Sequence, residues 1–274
     1  MHGRLAGKRA LVTGSTRGIG EAIATMFGEQ GAHVAVTGRT VEDGERVAKA
    51  IVQAGGKADF IPLDLADEQS VADAISRAVD MLGGLDVLVN NAAPTEHIRG
   101  MGETFEDKAD GPVAEMTTER WRRVTTPGID GLVWTIRYAM PELLKAPKAS
   151  IVNISSLAGV MGMKGQAAYV ATKGAMNALT RAVAADYAPT VRCNALVSGA
   201  FMTPGMAVVL SAAPEVRKAF EANTLVGYVG DPREMAEAAT FFASDESSFI
   251  TGQCLPVDGG QSIKFVEHNV GSSE

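Results

Sequence analysis

Between Arg9 and Val89 the chain switches repeatedly between short apolar runs and stretches of helical periodicity. This alternation constrains the fold more than any other feature. Arg9–Thr13 reads as a strand, and Ile19, Ile23, Met26 and Phe27 fall on one stripe of a following helix. His33–Thr37, Asp59–Leu63 and Leu85–Val89 read as further strands. Val41–Ala54, closed by Gly55-Gly56, is a helix, as is the stripe Val71, Ile75, Ala78, Val79 and Leu82. Such an order predicts a parallel sheet with helices on both faces, a doubly wound α/β architecture in three αβα layers. One domain is expected over residues 1–274, with a peripheral tail at 262–274.

Composition narrows the function. The 274 residues suffice for one large core, and 46% hydrophobic with 21% charged residues is ordinary for a globular chain. A net charge of −7 argues against nucleic acid as a partner, because such binders carry a basic face. No apolar run approaches the roughly 20 residues that cross a bilayer, and Ala10–Val12 is too short for a signal-peptide core. Cys193 and Cys254 form no disulfide framework. With His2, His33, His97 and His268 scattered, no metal site is expected, and the expected location is cytoplasmic.

Two stretches carry chemistry. The first is the turn after the first strand, with Gly14, Ser15, Thr16, Arg17, Gly18, Ile19 and Gly20. Glycines there let backbone N–H groups approach a pyrophosphate at a helix N-terminus. Their spacing, G-x-x-x-G-x-G, differs from the usual G-x-G-x-x-G, and plain strand-to-helix punctuation is the alternative. The second is Ile151–Lys173. Ile151–Ile154 reads as a buried strand leading to Ser156, and Gln166–Tyr187 as a helix with Tyr169 and Lys173 one turn apart. An ammonium beside a phenol favours the phenolate and is expected to pull its pKa below about 10. With a hydroxyl from Ser156, this makes a proton-handling site for an alcohol or a carbonyl. A Tyr-x-x-x-Lys pair alone also arises as a core tyrosine next to a solvated lysine.

Taken in order, several motifs resemble the single-domain branch of the short-chain dehydrogenase/reductase family from about Leu5 to Gly260. They are the Thr13–Gly20 turn, Asp64-Leu65, Asn90-Asn91-Ala92, Ser156, Tyr169-x-x-x-Lys173, Asn194-Ala195 and Val257-Asp258-Gly259-Gly260. The resemblance implies a Rossmann-like fold and hydride transfer between a nicotinamide and a carbonyl or secondary alcohol. It makes Tyr169 the general acid/base, Lys173 its activator and ribose ligand, and Ser156 the orienter of the carbonyl. Asp64 and Leu65 would lie by the adenine. Asn90 would brace the cofactor, with Asn91 and Ala92 against it, and Gly199 and Thr203 would meet the carboxamide end. An enoyl reductase is disfavoured, since that branch spaces Tyr and Lys more widely.

Two positions depart from the family. Seven residues after Trp121, where the family has an Asn, stands Gly128 within Thr125-Thr126-Pro127-Gly128. Proline and glycine cost about 3 and 1 kcal/mol inside a helix, so a kink is expected near Val124–Gly128. A missing Asn side chain admits a second reading, a non-catalytic nicotinamide-binding or sensing protein. The other departure is Ser198-Gly199 in place of Pro-Gly.

Gly38 stands where NAD enzymes of this type carry an acid. With Arg17 and Arg39 nearby the expected cofactor is NADP(H), with NAD(H) as the other option. Met161, Met163, Met202, Met206, Val208, Val209, Leu210 and Phe220 suggest an apolar small-molecule substrate, or simply a packed helix. Pro94–Met116 is a lid or a surface insertion. A seam of Ala168, Ala171, Ala175, Ala178, Ala182 and Ala185 packs on the chain's own sheet or on a second copy. The family reading is a homo-oligomer, a dimer or a tetramer.

Overall fold

The computed structural model describes residues 3–93 and 110–264. Most of the Pro94–Met116 connection and most of the expected tail therefore lie outside the described residues.

Seven parallel strands form one sheet in the order β3-β2-β1-β4-β5-β6-β7. They are β1 Arg9–Val12, β2 His33–Gly38, β3 Lys57–Pro62, β4 Val87–Asn90, β5 Ala149–Ser156, β6 Val191–Ser198 and β7 Cys254–Val257. The helices between them are α1 Gly18–Glu29, α2 Val41–Gln53, α3 Glu68–Leu82, α4 Thr118–Thr125, α5 Gly131–Leu143, α6 Ala167–Tyr187, α7 Pro204–Ala212, α8 Pro214–Ala222 and α9 Pro232–Ala243. This is the doubly wound, Rossmann-like architecture read from the alternation.

Central strands are apolar on both faces because both faces are covered. On one side Val12, Val34 and Val89 pack with Ile23 and Phe27 of α1 and with Met235 and Phe242 of α9. On the other, Leu11, Leu88 and Ile151 pack with Ile75 of α3, Ile136 and Met140 of α5, and Met176 of α6. The order in which strands are added reverses between β1 and β4, so the turn after Val12 and the segment after Asn90 open side by side. A crevice at such a reversal is where this class of sheet takes its ligands.

Strand ends shift by one to three residues from their expected positions; β7, for example, starts at Cys254 rather than Thr251. The kink expected near Val124–Gly128 is a π-helical turn, Thr126–Asp130, between α4 and α5. Pro127 has no N–H for the regular ladder, and the turn absorbs the defect without ending the helix. Asp231 and Glu234 form a capping box ahead of Pro232, the start read for α9. The buried face of α6 carries Ala168, Thr172, Met176 and Thr180, whereas Ala178, Ala182 and Ala185 are exposed. That half of the alanine seam therefore does not pack on the chain's own sheet.

Candidate active site

The glycine turn is tightly packed against the end of β4. Gly14 has φ +62°, and a Cβ on it would lie 2.9 Å from the Ala92 Cα. A Cβ on Gly20 would lie 2.3 Å from the Gly14 carbonyl oxygen and 2.4 Å from Asn91 Nδ2. Only glycine fits at either place. Asn91 Nδ2 donates to the carbonyls of Thr13 and Gly14, both at 3.0 Å. The Thr13 hydroxyl accepts from the N–H groups of Asn91 and Ala92 at 2.9 and 3.1 Å. Turn and β4 end are thus clamped together.

Arg17 precedes α1 and makes no side-chain cap, which leaves donors of the first helical turn for another acceptor. Backbone this close to a crevice, with N–H groups at a helix start, fits the pyrophosphate of a dinucleotide. Gly18, at φ +58°, lies against Thr203, whose methyl would be 3.2 Å from an added Cβ. Thr203 also caps α7 by accepting from Met206 N at 3.3 Å. Gly199 lies so close to Asp258 that a Cβ would come within 2.7 Å of its Cα. Asp258 accepts from the N–H groups of Gly260 and Ser262, at 2.9 and 2.8 Å. Asp64 follows β3 and accepts from Ala66 N at 2.9 Å, and Leu65 packs beside Gly131.

Several residues of the motifs have structural tasks. Ser15 is fully buried; its hydroxyl donates to Val12 O at 2.8 Å and accepts from Thr37 N at 2.9 Å, tying β1 to β2. Asn90, expected to brace the cofactor, is buried in the sheet. Its Nδ2 donates to Asn153 Oδ1 at 2.8 Å, and its Oδ1 accepts from the Thr135 hydroxyl at 2.8 Å. Asn153 in turn donates to the Thr180 hydroxyl at 2.9 Å, so one polar chain links α5, β4, β5 and α6. Side chains alternate along a strand, and Asn90 points inward where Asn91 points to the turn. Asn194 joins β6 to the stretch before β7, donating to Ile250 O at 2.9 Å and accepting from Gln253 N at 3.0 Å.

Ser156, Tyr169 and Lys173 converge as read. Ser156 ends β5, accepts from Ala158 N at 3.2 Å, and hydrogen-bonds with Tyr169. Lys173 Nζ stands 5.8 Å from the centre of the Tyr169 ring and donates to Ile154 O at 2.7 Å. Lys173 is a buried cation, not a solvated one, and burial pulls its pKa down to about 8. The expected fall in the Tyr169 pKa does not occur. Part of Tyr169 stays accessible, but its ionisable end is enclosed, and desolvation holds it above the ordinary phenol value against the lowering hydrogen bond with Ser156.

Gly128 is buried opposite Thr172, the residue before Lys173. A Cβ on Gly128 would lie 2.3 Å from Thr172 Cγ2. The threonine methyl thus fills the space that any larger side chain at this position would need.

A protein-family model described as "Enoyl-(Acyl carrier protein) reductase" matches residues 14–262. The chain belongs to the short-chain dehydrogenase/reductase family. It is 38% identical over 264 residues to the 2,5-dichloro-2,5-cyclohexadiene-1,4-diol dehydrogenase of Sphingobium indicum, covering 96% of this chain and 99% of that one. It is 35% identical to the cyclopentanol dehydrogenase of Comamonas testosteroni, covering 94% and 98%. A solved gluconate 5-dehydrogenase from Burkholderia cenocepacia, in complex with NADP and tartrate, superposes with a TM-score of 0.84 at 30% identity, covering 96% and 98%. The chain is an oxidoreductase of the alcohol–carbonyl class, and the non-catalytic alternative raised by Gly128 falls away. No helix among the described residues is long and apolar enough to cross a membrane.

Asp110, Thr172 and Arg46 were not singled out in the sequence. Arg46 pairs with Glu21 at 2.7 Å and donates to the Thr16 carbonyl at 2.9 Å, fastening α2 to the glycine turn. No local spacing marks these residues, because each acts on a partner distant in the chain.

Proposed function

We propose that this protein interconverts a secondary alcohol on a small apolar ring with its ketone, using NADP(H). The observation that carries most weight is Tyr169, hydrogen-bonded to Ser156 and backed by buried Lys173, beside a glycine turn suited to a dinucleotide. When bound, the nicotinamide exchanges a hydride with the carbinol carbon. Ser156 donates to the substrate oxygen and fixes its direction. Tyr169 takes the hydroxyl proton during oxidation and returns it during reduction. Lys173, with a pKa of about 8, keeps its charge at neutral pH and stabilises the phenolate as it forms.

The NADP(H) preference is supported at Gly38, where a Cβ would lie 2.5 Å from Thr16 Cγ2, so a larger residue there requires the Thr16 side chain to turn away. Arg17 and Arg39 are exposed on either side, available to a 2′-phosphate. A ring substrate is supported by the ring alcohols in the names of two relatives and by apolar surface following Ser156 and Thr203. There Met161 and Val208 are exposed, while Met163, Met202 and Met206 are half-buried. The outward part of the alanine seam supports a homo-oligomer, which light scattering tests.

The test of the chemistry is Tyr169→Phe, assayed against a panel of cyclic alcohols and ketones with both cofactors. Binding of NADPH by fluorescence should be retained, while turnover falls by two orders of magnitude or more, as for loss of a general acid/base, about 10²–10⁴-fold. Full activity in that variant rejects Tyr169 as the proton carrier.

A further inference from the structure

We infer that Asp110 is the positioning residue for Tyr169: its buried carboxylate caps the helix that carries the phenol and fixes where that phenol stands. This rests on the proposed role of Tyr169 as the proton carrier. The first N–H groups of any helix lack partners inside the helix. At α6 the N-cap residue, Gln166, supplies no side-chain acceptor. Asp110 supplies it from 59 positions away in the chain. Its Oδ2 accepts from the backbone N–H of Tyr169 itself at 2.8 Å, and its Oδ1 accepts from Ala168 N at 3.0 Å and Gly111 N at 2.8 Å.

The arrangement differs from the other caps. Asp67, Thr117, Thr203 and Asp231 each cap the helix they directly precede. Those contacts end a helix without saying where it sits. At α6 the acceptor belongs to the connection between β4 and α4, so helix position is set by a separate part of the fold. That connection is held in turn: Arg120 Nη2 donates to the Asp110 carbonyl at 2.7 Å and Nη1 to Glu115 O at 3.1 Å. Ala167 N reaches Gly111 O at 3.4 Å. Asp110 is only 3% exposed, so bulk water does not compete with its carboxylate for these N–H groups. A chain runs from Arg120 through Asp110 to the N–H of Tyr169, whose hydroxyl meets Ser156. Proton transfer depends steeply on distance, and a displacement of about 1 Å can lower a rate by about 10²-fold.

Asp110→Asn and Asp110→Ala test this. In the asparagine variant one oxygen is retained, but its amide nitrogen cannot accept from the second N–H. The readouts are kcat and its solvent deuterium isotope effect for whichever cyclic secondary alcohol and cofactor the wild type turns over fastest, with NADPH affinity and folded fraction. Both variants should lose about tenfold or more in kcat, keep NADPH affinity within about threefold, and show a larger isotope effect because proton transfer becomes limiting. Asp67→Asn, which weakens the cap of α3, should lower stability and leave the isotope effect unchanged. Wild-type kcat and isotope effect in both Asp110 variants overturn the inference. So does a rate that falls only with the folded fraction, since that assigns Asp110 to folding alone. If Tyr169→Phe keeps full turnover, the underlying assignment fails first; if it is inactive while Asp110→Asn is normal, only the positioning role is lost.

Discussion

Gly128 and Thr172 should behave as one unit, and a double-mutant cycle measures it. Gly128 lacks a positive φ, so alanine there meets no backbone penalty and gains about 1 kcal/mol of helix propensity. Against that, its Cβ would stand 2.3 Å from Thr172 Cγ2, well inside van der Waals contact. Thr172 cannot turn away freely, because its hydroxyl donates to Ala168 O at 2.8 Å and its side chain is buried. Overpacking of this kind costs about 1–3 kcal/mol, so Gly128→Ala should destabilise by up to about 2 kcal/mol net. Thr172→Ser removes the methyl, keeps the hydroxyl and loses about 1 kcal/mol of buried apolar contact. In the double variant the methyl cavity receives the alanine, and the closest remaining approach is the Thr172 Oγ1 position at 3.3 Å. The double variant should therefore lie within about 1 kcal/mol of wild type, a favourable coupling of about 1–3 kcal/mol, equal to the overpacking relieved. Urea unfolding followed by circular dichroism reads all four proteins. Single effects that add within about 0.5 kcal/mol would refute the reasoning.

Other outcomes follow from the same structure. Ser15→Ala should lower stability by about 1–3 kcal/mol, by leaving the Thr37 N–H without its partner. It should leave NADPH affinity within about threefold; a large loss of affinity without loss of stability makes Ser15 a phosphate ligand after all. Arg17→Ala and Arg39→Ala should each weaken NADP⁺ binding about tenfold or more and leave NAD⁺ unaffected, as expected for a charge-assisted hydrogen bond worth about 1.5–3 kcal/mol. Equal losses with both cofactors remove the 2′-phosphate role. Lys173 has a folded pKa depressed from 10.5 to about 8, so the unfolded chain binds its proton more tightly. Wild type should gain stability relative to Lys173→Met as pH rises from about 8 to about 10, by up to about 3 kcal/mol at about 1.4 kcal/mol per pH unit. A flat or opposite difference in urea titrations across that range contradicts the buried-cation description.

How much could be read beforehand depends on the range over which each residue acts. The glycine turn, the strand–helix alternation, the proline-linked kink and the Tyr169–Lys173 pair are local patterns. Periodicity, missing N–H groups and one-turn spacing are set by neighbouring residues, so a linear chain displays them. Asn90 and Asn91 show the limit. Both belong to one motif, yet strand alternation turns the first into the sheet and the second onto Gly14 and Gly20.

The sequence alone determined the doubly wound architecture, the one-turn spacing of Tyr169 and Lys173 and the place of Ser156 at a strand end, because these follow from short-range spacing and strand order. Tertiary structure decided the environment of those residues. Enclosure raised the phenol of Tyr169 and lowered the amine of Lys173, where opposite charge by itself would have lowered the phenol. It also brought Asp110 to the start of α6 and Thr172 against Gly128. Desolvation and close packing depend on everything that surrounds a group, and no stretch of sequence carries that information.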